Sequence, residues 1–541
     1  MKSEVATKTV PVVELISIHP RLSVWTETVP SINQRQSAAG INGINSNNIL
    51  FMQEKQCDSQ NSELKKETCP ATLWNYWSSL SPFVRGLIIG IIAGIVILII
   101  IIPICVTLIN KSTATQELND TTTNEIYWSF DGITTDLNNV YNGILVNDAS
   151  YTPIVSNQPY IGQGRGLSLL SSLNQYFLVS TPFLDLYSTS FTIEVWIYSI
   201  INNTNDYGIF SQCLCSTCTN QCFYLIIRSF HLFVSFKNIN LISNTILISN
   251  TWYHIAFIYD YNTKTQILYI NGIQDNINLN PNSYQITSGS IEIGASTIGL
   301  IKNSFNGYID NCKITLRAKS SIEILNDATL TAYYSFDLPY PNSDNGPNGL
   351  NGTLFNTGLV DGRVNQAINF TGQSSHFQAY GFYQIGYGVI QSKPFSVSLW
   401  INPPEYIPCA IIQMSPTLRS QYCRNLIGFL PTENSTSQII IEGSNYTSIL
   451  GPEVILNTWT HISVTYSMIN GLRLYIDGIY FDSTGSFPFE ASGSIIYLQI
   501  GFSRWCTSYS ISNAGYNGLV DEIYVHSREL SQTEINILAN P

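Results

Sequence analysis

The sequence predicts an all-β protein: two tandem jelly-roll β-sandwich domains, preceded by one transmembrane helix and a disordered N-terminal tail. Three observations predict it. A run of residues between Arg85 and Lys111 carries no charge. A set of motifs in the C-terminal part recurs in the same order about 206 residues later. Inside those motifs apolar and polar residues alternate with period two, the mark of half-buried strands.

The tail, residues 1–83, lacks sustained periodicity. Pro11, Pro20 and Pro30 and a Gly/Asn/Ser stretch break it, which predicts disorder. Trp74, Tyr76 and Trp77 lie just ahead of the uncharged run, where amphipathic rings suit the headgroup layer of a membrane. Residues 84–110 are the predicted transmembrane helix, since 25 uncharged residues exceed the roughly 20 that a helix needs to cross. Lys55, Lys65, Lys66 and Arg85 precede it, and acidic residues follow. Basic flanks stay in the cytoplasm, which predicts a plasma-membrane, single-pass type II protein with its C-terminus outside. All seven N-glycosylation sequons follow the run, at Asn110, Asn119, Asn202, Asn351, Asn369, Asn434 and Asn445; Asn110 lies close to the predicted bilayer. Gly86, Gly90 and Gly94 fall on one helical face and predict a homodimer through the helix. Residues 111–125 read as a stalk.

The two copies run over 126–329 and 331–541. YWSFD (127–131) returns as YYSFD (333–337), and FTIEVWI (191–197) as FSVSLWI (395–401). NTWYHIAFIYD (250–260) returns as NTWTHISVTYS (457–467), and ILYINGI (267–273) as RLYIDGI (473–479). FNGYIDNCKITLRA (305–318) returns as YNGLVDEIYVHSRE (516–529), at a larger offset that signals a loop insertion. In the second motif Phe191, Ile193, Val195 and Ile197 share one face, with Thr192, Glu194 and Trp196 on the other. Phe395, Val397, Leu399 and Ile401 repeat the core stripe. Ile255, Phe257 and Tyr259 match Ile462, Val464 and Tyr466 as core-facing. Asn271-Gly272 and Asp477-Gly478 suit type I′ hairpin turns, whose central residues both need positive φ. SSIEIL and LSQTEINIL read as a short closing helix in each copy.

These motifs, twice in order, resemble the laminin-G-like, concanavalin-A-like lectin/glucanase superfamily. The resemblance covers both copies and implies carbohydrate or protein binding, adhesion, or service as an accessory to a glycosidase. The implied partner is an extracellular glycan or protein.

Composition narrows the classes further. Only 11% of residues are charged, against about 25% in ordinary domains. The net charge of −12 and the lack of a basic block exclude a nucleic-acid partner. A glycosidase needs two carboxylates about 5–10 Å apart; Glu194 stands alone on its strand, and Ser398 takes its place in the second copy. No enzyme is therefore expected. A tethered glycosidase and a passive surface-coat protein are the rival readings.

Trp196 and Trp400, with Glu194 on the same face, are the candidate ligand-binding residues. Either their indoles stack on sugar rings or a neighbouring segment buries them. Trp252-x-His254 and Trp459-x-His461 form a matched pair read as structural. The eight extracellular cysteines, Cys213, Cys215, Cys218, Cys222, Cys312, Cys409, Cys423 and Cys506, are expected in disulfides of unknown pairing, two of them local to 213–222. Each copy holds an odd number, which leaves Cys312 and Cys506 as candidates for a longer-range bridge. No cofactor is required. The resemblance implies a structural calcium where Asp131 and Asp310 meet, repeated at Asp337 and Asp521, with Asp136 and Asp344 as further ligands. The alternative is that each Asp caps a turn.

Overall fold

In this computed structural model the described residues are Ser81 and 125–541, apart from 154–163, 215–220, 237–238, 280–287, 299–300, 373, 384, 386, 419–421, 445–446, 502–505, 507–510 and 512–513. Each copy folds into two packed antiparallel sheets. In the first, one sheet runs in the spatial order 150–151, 167–169, 307–315, 191–199, 252–260, 265–270, 273–279, and the strand Glu125–Trp128 also pairs with Gly307–Thr315. The facing sheet runs 144–146, 176–179, 291–293, 207–213, 222–228, 231–236, 239–246. The second copy has the same order: 357–361, 366–371, 517–526, 395–402, 460–467, 471–476, 479–483, with Leu330–Tyr334 beside Asn517–His526. Its facing sheet is 353–355, 376–382, 496–500, 410–415, 424–431, 437–442, 448–453.

The predicted stripes face the cores. Phe191, Ile193, Val195, Ile197, Ile255, Phe257 and Tyr259 join one apolar cluster. Phe395, Val397, Leu399, Ile401, Ile462, Val464 and Tyr466 join the other. Burying one such side chain contributes about 1.5–3 kcal/mol, so each stripe anchors its sheet.

Two hairpin turns are built alike. Asn271 and Gly272 have φ of 52° and 81°, and Asp477 and Gly478 have 48° and 80°. The Asn271 and Asp477 side chains accept the His254 and His461 N–H at 3.0 and 2.9 Å. Gly272 also lies against the helix α1 (Ser321–Thr329), where a Cβ would come within 2.9 Å of the Leu325 Cα. The second copy closes with α2 (Gln532–Leu538). Ser320 with Glu323, and Ser531 with Glu534, form capping boxes; Arg317 and Arg528 hold those glutamates. The loop insertion signalled by the larger offset lies after Gly294 and Gly501, equivalent residues with φ of 83° and 86°. It is the two-stranded hairpin 295–304 in the first copy and the segment 502–515 in the second.

The expected membrane anchor and plasma-membrane location are corrected here. No helix among the described residues is long and apolar enough to cross a membrane. The α-helices among the described residues, α1 and α2, have nine and seven residues, and the apolar cores described above are built from strands. Residues 84–110, with Gly86, Gly90 and Gly94, lie outside the described residues, as do Asn110, Asn119 and Asn445.

Candidate ligand-binding surfaces

The face carrying Glu194 and Trp196 is closed. Glu194 points away from the core, yet it is 2% exposed. Lys319, just ahead of α1, places its ammonium 2.5 Å from Glu194 Oε2 and also bonds Asp327 on α1. His254 Nε2 stands 3.6 Å from Glu194 Oε1. Burial pushes the Glu194 carboxyl up to about 7 against the pull of Lys319. Burial also opposes the Lys319 ammonium, but Glu194 and Asp327 together raise its pKa above the usual lysine value. His254 is held neutral by burial, its pKa lowered to about 3. One ammonium clamped between two carboxylates closes a buried ion network.

Trp196 is 5% exposed and packs with Trp252, Tyr198, Tyr308 and, from the second copy, Tyr383. Trp400 is equally buried, with the Arg363 guanidinium 4.6 Å above its ring and His461 at 5.2 Å. Neither indole is open for stacking. The sequence placed both correctly on the face away from the core, but could not show what covers that face.

The six aspartates occupy three matched pairs of positions, and each accepts from backbone N–H groups. Asp131 accepts from Arg165 N at 2.9 Å, and Asp337 from Gln366 N at 3.0 Å. Asp136 accepts from Asn138, Val140 and Tyr141; Asp344 from Tyr333, Gly346 and Leu350. Asp310 accepts from Asn311 N, and Asp521 from Arg363, Val364 and Glu522. Burial raises the Asp521 carboxyl to about 7. Calcium wants six to eight oxygens at 2.3–2.6 Å. Carboxylates committed to backbone N–H groups do not fit that ion, and the described residues hold no group of three or more His, Cys, Asp or Glu able to ligate a metal.

Cys213 bonds Cys222 across a hairpin, and Cys423 bonds Cys506, tying the insertion to the start of strand Arg424–Pro431. Two expectations are corrected. Cys506 is not left over, and Cys312 and Cys409 are free, buried thiols. Cys312 belongs to the core of its domain, so no bridge can reach it without unfolding. Cys215 and Cys218 lie outside the described residues.

An open polar groove of about 690 Å³ lies at one end of the first domain. Its walls are the segments 171–174, 202–207 and 301–306. Asn174, Asn202, Asn203, Asn205, Asn303 and Asn306 line it with Ser171, Ser172, Thr204 and Ser304. Several of these side chains are fixed. The Tyr207 hydroxyl sits between Asn202 Oδ1 and Asn203 Oδ1, at 3.1 and 2.9 Å. Asn306 donates to the Ile200 carbonyl at 3.0 Å. The two charged wall residues are already paired: Asp206 with Arg228, and Lys302 with Glu292, each at 2.6 Å. The groove therefore offers amides and hydroxyls with little unpaired charge, which suits a neutral polyhydroxylated ligand. Sequence reading marked only the Asn202 sequon here. The Asn-rich run INNTND (201–206) was the available signal, but the hairpin that forms the other wall is about a hundred residues away.

Two tandem sandwiches of one topology, a closed outer face and an open polar groove describe a binding module. A laminin-G family model, described as the concanavalin A-like lectin/glucanases superfamily, matches residues 171–325 and 377–536. The chain belongs to that superfamily, and its two domains are of the laminin-G-like, lectin-like kind that binds carbohydrate or protein. No curated protein sequence matches it. Among solved structures it is similar to domain 4 of AbnA, an extracellular arabinanase from Geobacillus stearothermophilus in complex with arabinotriose. The identity is 20% over 39% of this chain and 98% of that one, with a TM-score of 0.30. It is also similar to domains LG4-5 of the mouse laminin alpha1 chain, at 11% identity over 70% of this chain and 96% of that one, TM-score 0.24. A third is the receptor-binding domain of botulinum neurotoxin type G, at 11% identity over 63% and 91%, TM-score 0.30.

Proposed function

We propose that the protein is a non-enzymatic binding and adhesion protein that recognises a neutral glycan through the groove of its first domain. The groove itself carries the reading. Its volume of about 690 Å³ falls within the 300–1,000 Å³ of ordinary ligand sites, and its lining is rich in amides and hydroxyls. The paired state of Lys302 and Asp206 favours neutral over acidic sugars. The Cys213–Cys222 and Cys423–Cys506 bonds support an oxidising compartment, where extracellular glycans are met. A glycosidase is the weaker reading, because Lys319 bridges Glu194 and Asp327 in a buried network.

The test is a glycan array probed with the full chain made in a host that does not N-glycosylate it, and with an Asn205→Ala/Asn303→Ala variant made in the same way. Binding of neutral oligosaccharides, reduced at least about tenfold in the variant, is expected; tenfold corresponds to 1.4 kcal/mol, about one hydrogen bond. Equal binding by both proteins, or binding only to acidic glycans, overturns the reading.

A further inference from the structure

We infer that Asn202 carries an N-linked glycan whose first sugars lie along this groove and close it to other oligosaccharides. The inference rests on the groove's preference for neutral sugars proposed above. The sequon Asn202-Asn203-Thr204 lies wholly within the groove wall. Asn202 is exposed, and its Oδ1 accepts from the Tyr207 hydroxyl, so its Nδ2 is turned away from that bond. An N-linked sugar leaves Oδ1 and one Nδ2 proton in place, so attachment keeps the contact with Tyr207. Transfer forms the Nδ2–C1 bond and breaks the C1–O bond to the pyrophosphate of a lipid-linked oligosaccharide. The lipid pyrophosphate leaves, and one Nδ2 proton is released.

Geometry then favours the groove. A tethered sugar meets its walls at an effective concentration in the millimolar range, so even weak hydrogen bonding keeps it there. Asn303 on the facing hairpin, Asn205 and Asn174 supply amides beside the attachment point. The sequon at Asn434 is the natural contrast. It lies exposed in the turn between strands Arg424–Pro431 and Ser437–Glu442.

The experiment uses the full chain secreted from a glycosylating host. Native protein is digested with an amidase that hydrolyses the Cγ–Nδ2 amide bond, which leaves aspartate at each released site, and release is followed site by site by mass spectrometry. Release at Asn202 is expected to be at least about tenfold slower than at Asn434, the protection that 1.4 kcal/mol of groove binding provides. Asn303→Trp, which fills the groove from the far wall, is expected to bring release at Asn202 up to the Asn434 rate. On the array, Asn202→Gln is expected to bind neutral oligosaccharides that the glycosylated protein does not. An unmodified Asn202, or equal release at Asn202 and Asn434, overturns the inference. So does equal array binding by the glycosylated protein and Asn202→Gln, which leaves the glycan-binding reading standing. Slow release at Asn202 with no array binding by either protein supports the tethered glycan and removes the reading of a site for free glycans.

Discussion

The same place in the two domains is built from opposite chemistry. In the first, the central strand puts Glu194 opposite Lys313, and the closing helix brings Lys319 and Asp327 against it. In the second, Ser398 stands opposite Tyr524, and the matched positions around α2 are Leu530 and Leu538. Ser398 Oγ bonds Ser463 Oγ at 2.6 Å, while Leu530 and Leu538 pack with Tyr475 and Ile535. One topology thus closes over either a buried ion network or a small apolar cluster. The network is a replaceable way to cover the sheet, and its conspicuous charges are not evidence of chemistry.

The largest expected effect comes from breaking that network. Lys319→Met leaves Glu194 and Asp327 buried without their cation and is expected to destabilise the first domain by about 3–5 kcal/mol. The triple variant Glu194→Ser/Lys319→Leu/Asp327→Leu imports the second domain's set and is expected to lie close to wild type. Denaturant titration of the full chain measures both. A triple variant as unstable as Lys319→Met would show that the ion network does something the apolar set cannot.

The disulfides sharpen the comparison next. Cys423–Cys506 spans a sequence separation of 83, and Cys213–Cys222 only 9. Loop-closure entropy grows with the logarithm of length, so Cys423→Ser should cost roughly 2 kcal/mol more than Cys213→Ser. Equal losses by denaturant titration would mean that local contacts dominate the effect of both bridges.

Much of this was legible in the residues. Five repeated motifs gave both copies and the stripes that face the core, because a period-two pattern is a local property. Asn271-Gly272 and Asp477-Gly478 announced their turns because positive φ restricts residue type. The outer faces were not legible. Thr192, Glu194 and Trp196 alternate like solvent-facing residues, yet all three are buried. What covers them, α1 and Tyr383 of the second copy, is remote in sequence. The groove escaped for the same reason, since it exists only where 202–207 meets 301–306. The pairing of Cys423 with Cys506 is likewise a fact of loop packing that spacing does not determine.

Acid separates the domains by a smaller amount. Each has one carboxyl raised to about 7 by burial, Glu194 and Asp521, and one capping-box glutamate lowered to about 2 despite its burial, Glu323 and Glu534, held by arginine and serine. Each also has one matched buried histidine, His254 and His461, lowered to about 3 and about 4 by burial. The second domain adds His526, lowered to about 3 by burial where the first has Thr315, and the half-buried His376, lowered less steeply by burial. A histidine with a depressed folded pKa binds fewer protons folded than unfolded between about 3 and 6.5. Its stabilising contribution is complete above the unfolded value and is lost as pH falls through that window. The second domain is therefore expected to lose more stability between pH 7 and pH 4, and His526→Thr to remove most of the difference. Hydrogen exchange followed domain by domain across that range measures it, and a first domain at least as acid-sensitive would break the comparison.

The smallest expected effect is that of calcium, for which both domains should behave alike. A bound ion would raise the melting temperature by mass action. The carboxylates in question are already engaged: Asp521 receives three backbone N–H groups, as do Asp136 and Asp344. Calcium would have to displace those bonds, leaving buried N–H groups unpaired at about 1–3 kcal/mol each. The half-protonated state of Asp521 near pH 7 weakens it further as a ligand. Melting curves in excess calcium and in excess chelator are therefore expected to coincide. Asp521→Ala separates the two roles of this carboxylate. As the acceptor that pins residues 363–364 to the last strand, its loss should lower the melting temperature by several degrees, equally with and without calcium. A drop seen only in calcium would show instead that Asp521 is an ion ligand.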